Sequence, residues 1–418
     1  MQVNTGWLPL RYMPISASPR PMQLSRYFGP STLITAAFIG PGTVTLCTMA
    51  GVTSGFSLVW ALVFSCITTI ILQEMAARLG TITGKGIPEA VHATIEHKSL
   101  KAIAFVLIFS AVVIGNSAYE AGNISGAAIG MELMGTPSQI WPVVLGVFSI
   151  ILIWYGGYKW IEKILTSLVM AMSLAFLITA IIVFPGLEDL IKGLIPRSLN
   201  NDELILATGL VGTTVVPYNL FLHAAIVSNK WHDARDMRDM RIENRVAVIL
   251  GGLISLLIII VAAGTRGDLH TVDSAADLAV QLEPLAGQYA SRLMGVGLSA
   301  AGLSSVITAA IAAAYVTRGI FKIEDKGEKH PLFRLVWMSI IVIGVIVSML
   351  GINLIVLIKF AQLINAIILL LLAVFLLYLC NSTALMGTFR NSFLRNTLGI
   401  AVILIVLLLS IRSFILLF

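Results

Sequence analysis

A chain of 418 residues that is 58% hydrophobic and only 11% charged, with a mean hydropathy of +0.95, carries more apolar surface than a soluble core can bury. Most of it must be solvated by lipid, which excludes the soluble enzyme classes. The net charge of +6 does not point to nucleic acid, because the basic residues sit in loops between apolar runs and not on one face.

Residues 1–28 carry Arg11, Arg20 and Arg26 among Pro14, Pro19 and Pro21, with no short apolar core followed by a small-residue cleavage site. They read as a cytoplasmic tail. Apolar stretches long enough to cross about 30 Å of hydrocarbon follow near 29–53, 57–80, 101–133, 139–157, 159–185, 203–228, 243–264, 286–316, 333–350, 352–380 and 394–417. Alternate loops collect Lys85, Lys98, Lys159, Arg238, Arg318, Lys322 and Arg395 with other basic residues, whereas the remaining loops keep little beyond Lys192, Arg197, Arg266 and Arg292. Positive charge resists translocation, so an integral cell-membrane protein with its N-terminus inside and C-terminus outside is expected. The segment His232–Arg245, with Asp233, Asp236 and Asp239 among its arginines, reads as a salt-bridged, solvated connector. Thr271–Leu285 reads as an amphipathic loop helix on the outer side. Cys47, Cys66 and Cys380 lie within apolar runs, at spacings of neither a disulfide framework nor a zinc site.

Two spans are interrupted at corresponding places. The first contains Ile39-Gly40-Pro41-Gly42-Thr43 and the sixth contains Thr213-Thr214-Val215-Val216-Pro217-Tyr218-Asn219. Proline removes a backbone donor and clashes with the preceding turn, so both helices should break within the membrane. A sixth span that matches the first implies two inverted five-helix repeats, 29–185 and 203–380, followed by an extra helix at 394–417. Broken backbone at that depth is tolerable only where protein or a solute satisfies it. The substrate is therefore expected between Gly40–Thr43 and Thr213–Tyr218.

With these residues in view the chain resembles the NRAMP (natural resistance-associated macrophage protein) family of transporters. Phe28-Gly29-Pro30 and Ile39–Thr43 are similar to the family's first helix, Leu72–Gly80 with Thr83-Gly84 to its second, Gly212–His223 to its sixth and Ala300–Thr308 to its eighth. The resemblance implies an all-α polytopic protein of LeuT-like fold, and in most members the cargo is manganese or iron moved with protons. The departures fall on the functional positions. The family's first-helix Asp-Pro-Gly-Asn has Gly40 and Thr43 at its Asp and Asn, and its sixth-helix Ala-Thr-Val-Met-Pro-His has Thr213, Val216 and Tyr218 at its Ala, Met and His. Borderline divalent ions need imidazole, thioether or carboxylate ligands to replace their hydration. The resemblance thus implies the fold without the transition-metal site, and no cofactor is implied.

Aligned with the family's tenth helix, Lys359 stands where a site-lining glutamine is usual, with Gln362 and Asn365 on nearby turns. Lys359 either snorkels to the interface or puts a cation into the cavity. Glu120 matches the family's proton-pathway glutamate, Ser117 replaces its aspartate partner, and His223 keeps one of the sixth helix's two histidines. Ser304, Ser305 and Thr308 offer oxygen ligands that suit Na⁺. The leading expectation is a secondary transporter of a small anion, bicarbonate or a carboxylate, bound by Gly40, Gly42, Thr43, Thr213, Val216, Tyr218, Lys359 and Asn365 and coupled to Na⁺ or H⁺. A hydrated divalent cation such as Mg²⁺ is the alternative cargo, and a channel or transport-dead sensor the alternative class. No HExxH, GxSxG or Walker loop suggests an enzyme.

Overall fold

The computed structural model describes residues 39–417 except 156–157, 185, 232–233, 268, 324–329 and 351. The tail at 1–28 and the first half of the first span lie outside the described residues. Thirteen helices carry the architecture: α1 Pro41–Ser54, α2 Val59–Thr83, α3 Ile87–Thr94, α4 Lys98–Leu133, α5 Trp141–Tyr155, α6 Tyr158–Val183, α7 Asn201–Thr214, α8 Pro217–Lys230, α9 Met237–Thr265, α10 Ala290–Ile320, α11 Pro331–Ser348, α12 Leu354–Asn381 and α13 Phe393–Leu417. Short helical turns fill several connections, and no strand occurs among the described residues.

Each span expected from the sequence has its helix among the described residues, the first from Pro41 onward, and the sixth is split as the proline required. α7 opens on a capping box, in which the Asn200 side chain accepts from the Glu203 backbone N–H while the Glu203 carboxylate accepts from that of Asn200. It stops at Thr214 because Pro217 cannot donate and pushes the preceding residue out of the helical region. Val216 is accordingly extended, with φ −77° and ψ 120°, and α8 restarts with Pro217 in its first turn. α1 begins the same way, from an extended Gly40 and with Pro41 in its first turn.

Two long helices form the centre of the bundle. α4 and α10 approach through small residues, with Ala127 and Gly130 of one against Ser299, Gly295 and Gly302 of the other. Close backbone approach of this kind replaces the hydrophobic drive that lipid does not supply. α4 also takes up Pro41, since a Cβ on Gly126 would lie 2.5 Å from the proline Cγ. The outer faces of α5, α6, α9 and α13 expose large apolar side chains, among them Val147, Ile181, Leu253 and Leu408, as lipid-facing surfaces do.

Two loop expectations are corrected. The charged segment before the seventh span is ion-paired and partly solvated as expected, but it is helical from Met237 on, and Met237, Met240 and Glu243 are buried. One of its arginines, Arg241, turns to the bundle and donates to Glu74 of α2 at 3.0 Å, while Arg235, Arg238 and Arg245 are exposed. The Thr271–Leu285 segment is a chain of short turns rather than one helix, opened by a Ser274–Asp277 capping box. Its Leu278, Gln281 and Leu282 are buried, with Gln281 donating to Thr48 of α1 at 2.6 Å.

Candidate substrate site at the helix breaks

The starts of α1 and α8 give the site its character. Neither N-cap, Gly40 or Val216, has a side chain that bonds the first turn; Pro41 and Pro217 carry no N–H, and in α8 the Asn219 N–H donates to the Val216 carbonyl at 3.1 Å. Helix N-termini carry partial positive charge. Thr43 and Thr213 lie across from one another, their hydroxyls 3.0 Å apart and both buried. Beside Gly40 stand the Ser305 hydroxyl of α10 and the Tyr119 hydroxyl of α4, at 3.2 Å and 3.5 Å from where a Gly40 Cβ would be. The Tyr119 ring meets that of Tyr218 edge-on, with centroids 5.3 Å apart.

The glutamine at this site is Gln362 of α12. A Cβ on Gly42 would meet its side-chain amide, with Cδ at 2.9 Å, and the Thr213 hydroxyl at 3.2 Å. Asn365, one turn on, donates to Gln362 Oε1 at 3.4 Å, which leaves the Nε2 end directed at Gly42. Lys359 is three residues before Gln362, about 60° round the helix at 100° per residue. It is half-buried and makes no ion pair among the described residues. The structure thus brings together Gly40, Gly42, Thr43, Thr213, Tyr218 and Ser305, adds Tyr119 and Gln362, which the sequence reading had not placed in the site, and sets Lys359 one turn away. Val216 lies behind, in an apolar cluster with Tyr119, Tyr218 and Leu222.

Two buried hydroxyl oxygens here, Ser305 Oγ and Ser117 Oγ, have no hydrogen-bond partner among the described residues. Buried polar groups are normally paired, so such atoms mark where a solute or water makes the missing bonds. The other expected coupling residues divide. Thr308 donates to the Ser304 carbonyl of its own helix at 2.9 Å, one turn from Ser305. Glu120, within electrostatic reach of Tyr119 and Tyr218, packs on Gly344 of α11 and accepts from Asn123 at 3.5 Å, with Oε1 unpaired. His223 is buried in α8 with Nδ1 unpaired. No group of three His, Cys, Asp or Glu side chains able to hold a metal gathers among the described residues.

Membrane-length helices, one of them split within its span and another opening on a proline after an extended glycine, with their ends set against buried hydroxyl and amide side chains, fit a membrane transporter. The family model described as natural resistance-associated macrophage protein-like matches residues 31–416, so the chain belongs to that family. It is 29% identical over 349 residues to a divalent metal cation transporter MntH of Listeria innocua, covering 79% of this chain and 76% of that one. Identity to an MntH of Klebsiella pneumoniae is 28% over 302 residues, covering 70% and 72%. The fold superposes on a manganese transporter of Eremococcus coleocola with a TM-score of 0.75 at 25% identity, covering 94% of this chain and 87% of that one. A nucleobase-cation symporter, Mhp1, matches at TM-score 0.59 and 14% identity over 96% and 95% of the two chains, a likeness of fold alone. The chain is an NRAMP-family transporter with a LeuT-like fold, integral to a membrane.

Proposed function

We propose that this transporter carries a small oxoanion, bicarbonate or a carboxylate, through the chamber between the two helix breaks. The observation that carries the reading is the sign of the groups there. Two helix N-termini without side-chain caps, the threonine hydroxyls and the Gln362 amide offer donors, while the Glu120 carboxylate, next to Tyr119, packs on Gly344 and accepts from Asn123. Backbone N–H groups at a helix start are a ready anion cradle. A manganese or iron ion would find neither charge nor a soft donor in this set.

Na⁺ or H⁺ supplies the coupling in this reading. Ser305 with Ser304 and Thr308 is the candidate cation site, and Glu120 and His223 the candidate proton path. The relatives named divalent metal cation transporters favour a second cargo, a hard ion such as Mg²⁺ held through water and hydroxyl oxygens.

Uptake into proteoliposomes with imposed Na⁺ or pH gradients separates the two. The anion reading requires saturable bicarbonate or carboxylate uptake that Lys359→Gln weakens up to about tenfold, the share of a screened attraction left after desolvation. Mg²⁺ uptake that improves in Lys359→Gln, with no anion uptake, would overturn it.

A further inference from the structure

Outside the breaks, at the end of the bundle where the basic loops gather, lies a cavity of about 750 Å³. Its walls come from the turn after α2, from α3, from α8 and from the end of α10, and its charged lining is Lys85, Glu89, Arg318 and Lys322, with His92. Three cations thus face one carboxylate. None of the three forms an ion pair among the described residues, unlike Arg78, Arg197, Lys230, Arg241 and Arg395, which all have carboxylate partners. Glu89 lies among them, pressed against Gly319 and folded back over Gly86 at the start of α3, and within electrostatic reach of Arg318 and Lys85, so it offsets one of the three charges and leaves an excess of two. His92 is engaged with the Ile320 carbonyl at 2.8 Å and stacks on Phe105. Arg318 lies over the Tyr315 ring, 5.4 Å from its centroid, which holds the guanidinium toward the cavity wall.

The cavity's place in the fold matters as much as its charge. Phe221, Ala225 and Ile226 line it from α8, one to two turns beyond Tyr218 at the break. Tyr315 lines it too, and packs on the apolar cluster of Tyr119, Val216, Tyr218 and Leu222. The central chamber and this cavity are therefore neighbours along one helix, separated by a plug of aromatic and aliphatic side chains. A cleft lined by one sign of charge with low-dielectric walls focuses the field and concentrates counter-ions.

We propose that this cavity is a second anion site, a vestibule that binds a small oxoanion through Lys85 and Arg318, with Lys322 at its rim. A guanidinium beside an ammonium matches the two-oxygen face of a carboxylate, bicarbonate or phosphate. The site stands on its own residues and does not require the central chamber to carry an anion.

Inorganic phosphate is the probe, titrated by calorimetry into the full-length protein in nanodiscs. The wild type and a central-site variant, Gly40→Leu, should bind phosphate alike, whereas Lys85→Gln with Arg318→Gln should weaken binding at least tenfold. Lys85→Arg with Arg318→Lys keeps both charges and should retain binding, which separates lost charge from lost fold. Absence of phosphate binding, binding unchanged in the Gln pair, or binding lost in Gly40→Leu would each overturn the inference. Failure of the central reading would appear differently, as missing bicarbonate uptake with phosphate binding intact.

Discussion

Gly42→Ala tests the chamber most directly. The new methyl would lie 2.9 Å from Gln362 Cδ and 3.2 Å from Thr213 Oγ1, against ordinary carbon contacts of about 3.5–4.0 Å. The clash is with the end of a flexible side chain, so the amide swings aside by roughly 1 Å and the backbone stays. A hydrogen bond to a charged solute contributes about 1.5–3 kcal/mol, so apparent affinity should fall about 10- to 100-fold. Gln362→Ala removes the same donor and should cost the same. Because both act through one amide, the double variant should be no worse than either single. Gly212→Ala is the contrast: its methyl meets the Gln362 backbone, with the carbonyl carbon at 2.8 Å and Ala366 N at 3.2 Å, so α7 and α12 must separate and the fold suffers. The assays are anion uptake in proteoliposomes and thermal unfolding in detergent. Unchanged uptake in Gly42→Ala, or additive losses in the double variant, would refute the placement of Gln362.

Restoring the family's ligands should restore the family's cargo: Gly40→Asp with Thr43→Asn and Val216→Met should create Mn²⁺ binding visible by calorimetry, where the wild type binds Mn²⁺ only weakly. Low-micromolar Mn²⁺ binding in the wild type would contradict this. Arg78 is fully buried and donates to Glu74, Asn391 Oδ1 and the Phe389 carbonyl; Arg78→Ala leaves the last two without their donor while Glu74 keeps Arg241, and should destabilise by about 1–3 kcal/mol in detergent unfolding. In the vestibule, burial raises the Glu89 carboxyl pKa above its usual value, and Arg318 and Lys85 partly offset that. A raised folded-state value means stability is full at low pH and is lost as pH climbs through that raised value. Glu89→Gln should therefore melt progressively higher than the wild type as pH rises from acid to neutral, and should bind phosphate more tightly at neutral pH. Lys85, Arg318, Lys322 and His92 face Glu89 in both proteins, so parallel melting curves would dismiss Glu89 as the titrating group.

Much of the fold was legible because its determinants are local. Pro217 sets the break in the sixth span, and Pro41 the start of α1, by steric exclusion within one turn. The register of α12 was not legible, because Lys359 and Gln362 are three residues apart on one helix and only packing against Gly42 and Gly212 decides which reaches the breaks. The connector before α9 misled for a related reason. Its alternating charges read as solvated, while Met237 and Met240 between them supplied the buried face. The vestibule could not have been seen at all, since Lys85 and Arg318 are brought together only by the packing of α3 on α10.

The charge at Gly40 explains how one scaffold can serve cargoes of opposite sign. A helix start is intrinsically positive, and a carboxylate in the N-cap position, as in the family's motif, cancels that charge and offers a cation two oxygens. Without it the same backbone faces the chamber with its donors uncovered. The site has not closed over the loss: a Cβ on Gly40 would sit 3.2 Å from Ser305 Oγ and 3.5 Å from Tyr119 Oη, both hydroxyls able to turn toward an incoming carboxylate. Gly40→Asp therefore fits with a shift of a few tenths of an ångström, and its effect on uptake should be electrostatic rather than steric. Gly40→Asn, equal in size but neutral, makes the distinction measurable. If charge sets the cargo, Asn preserves anion uptake that Asp abolishes, and equal losses in the two would return the argument to shape.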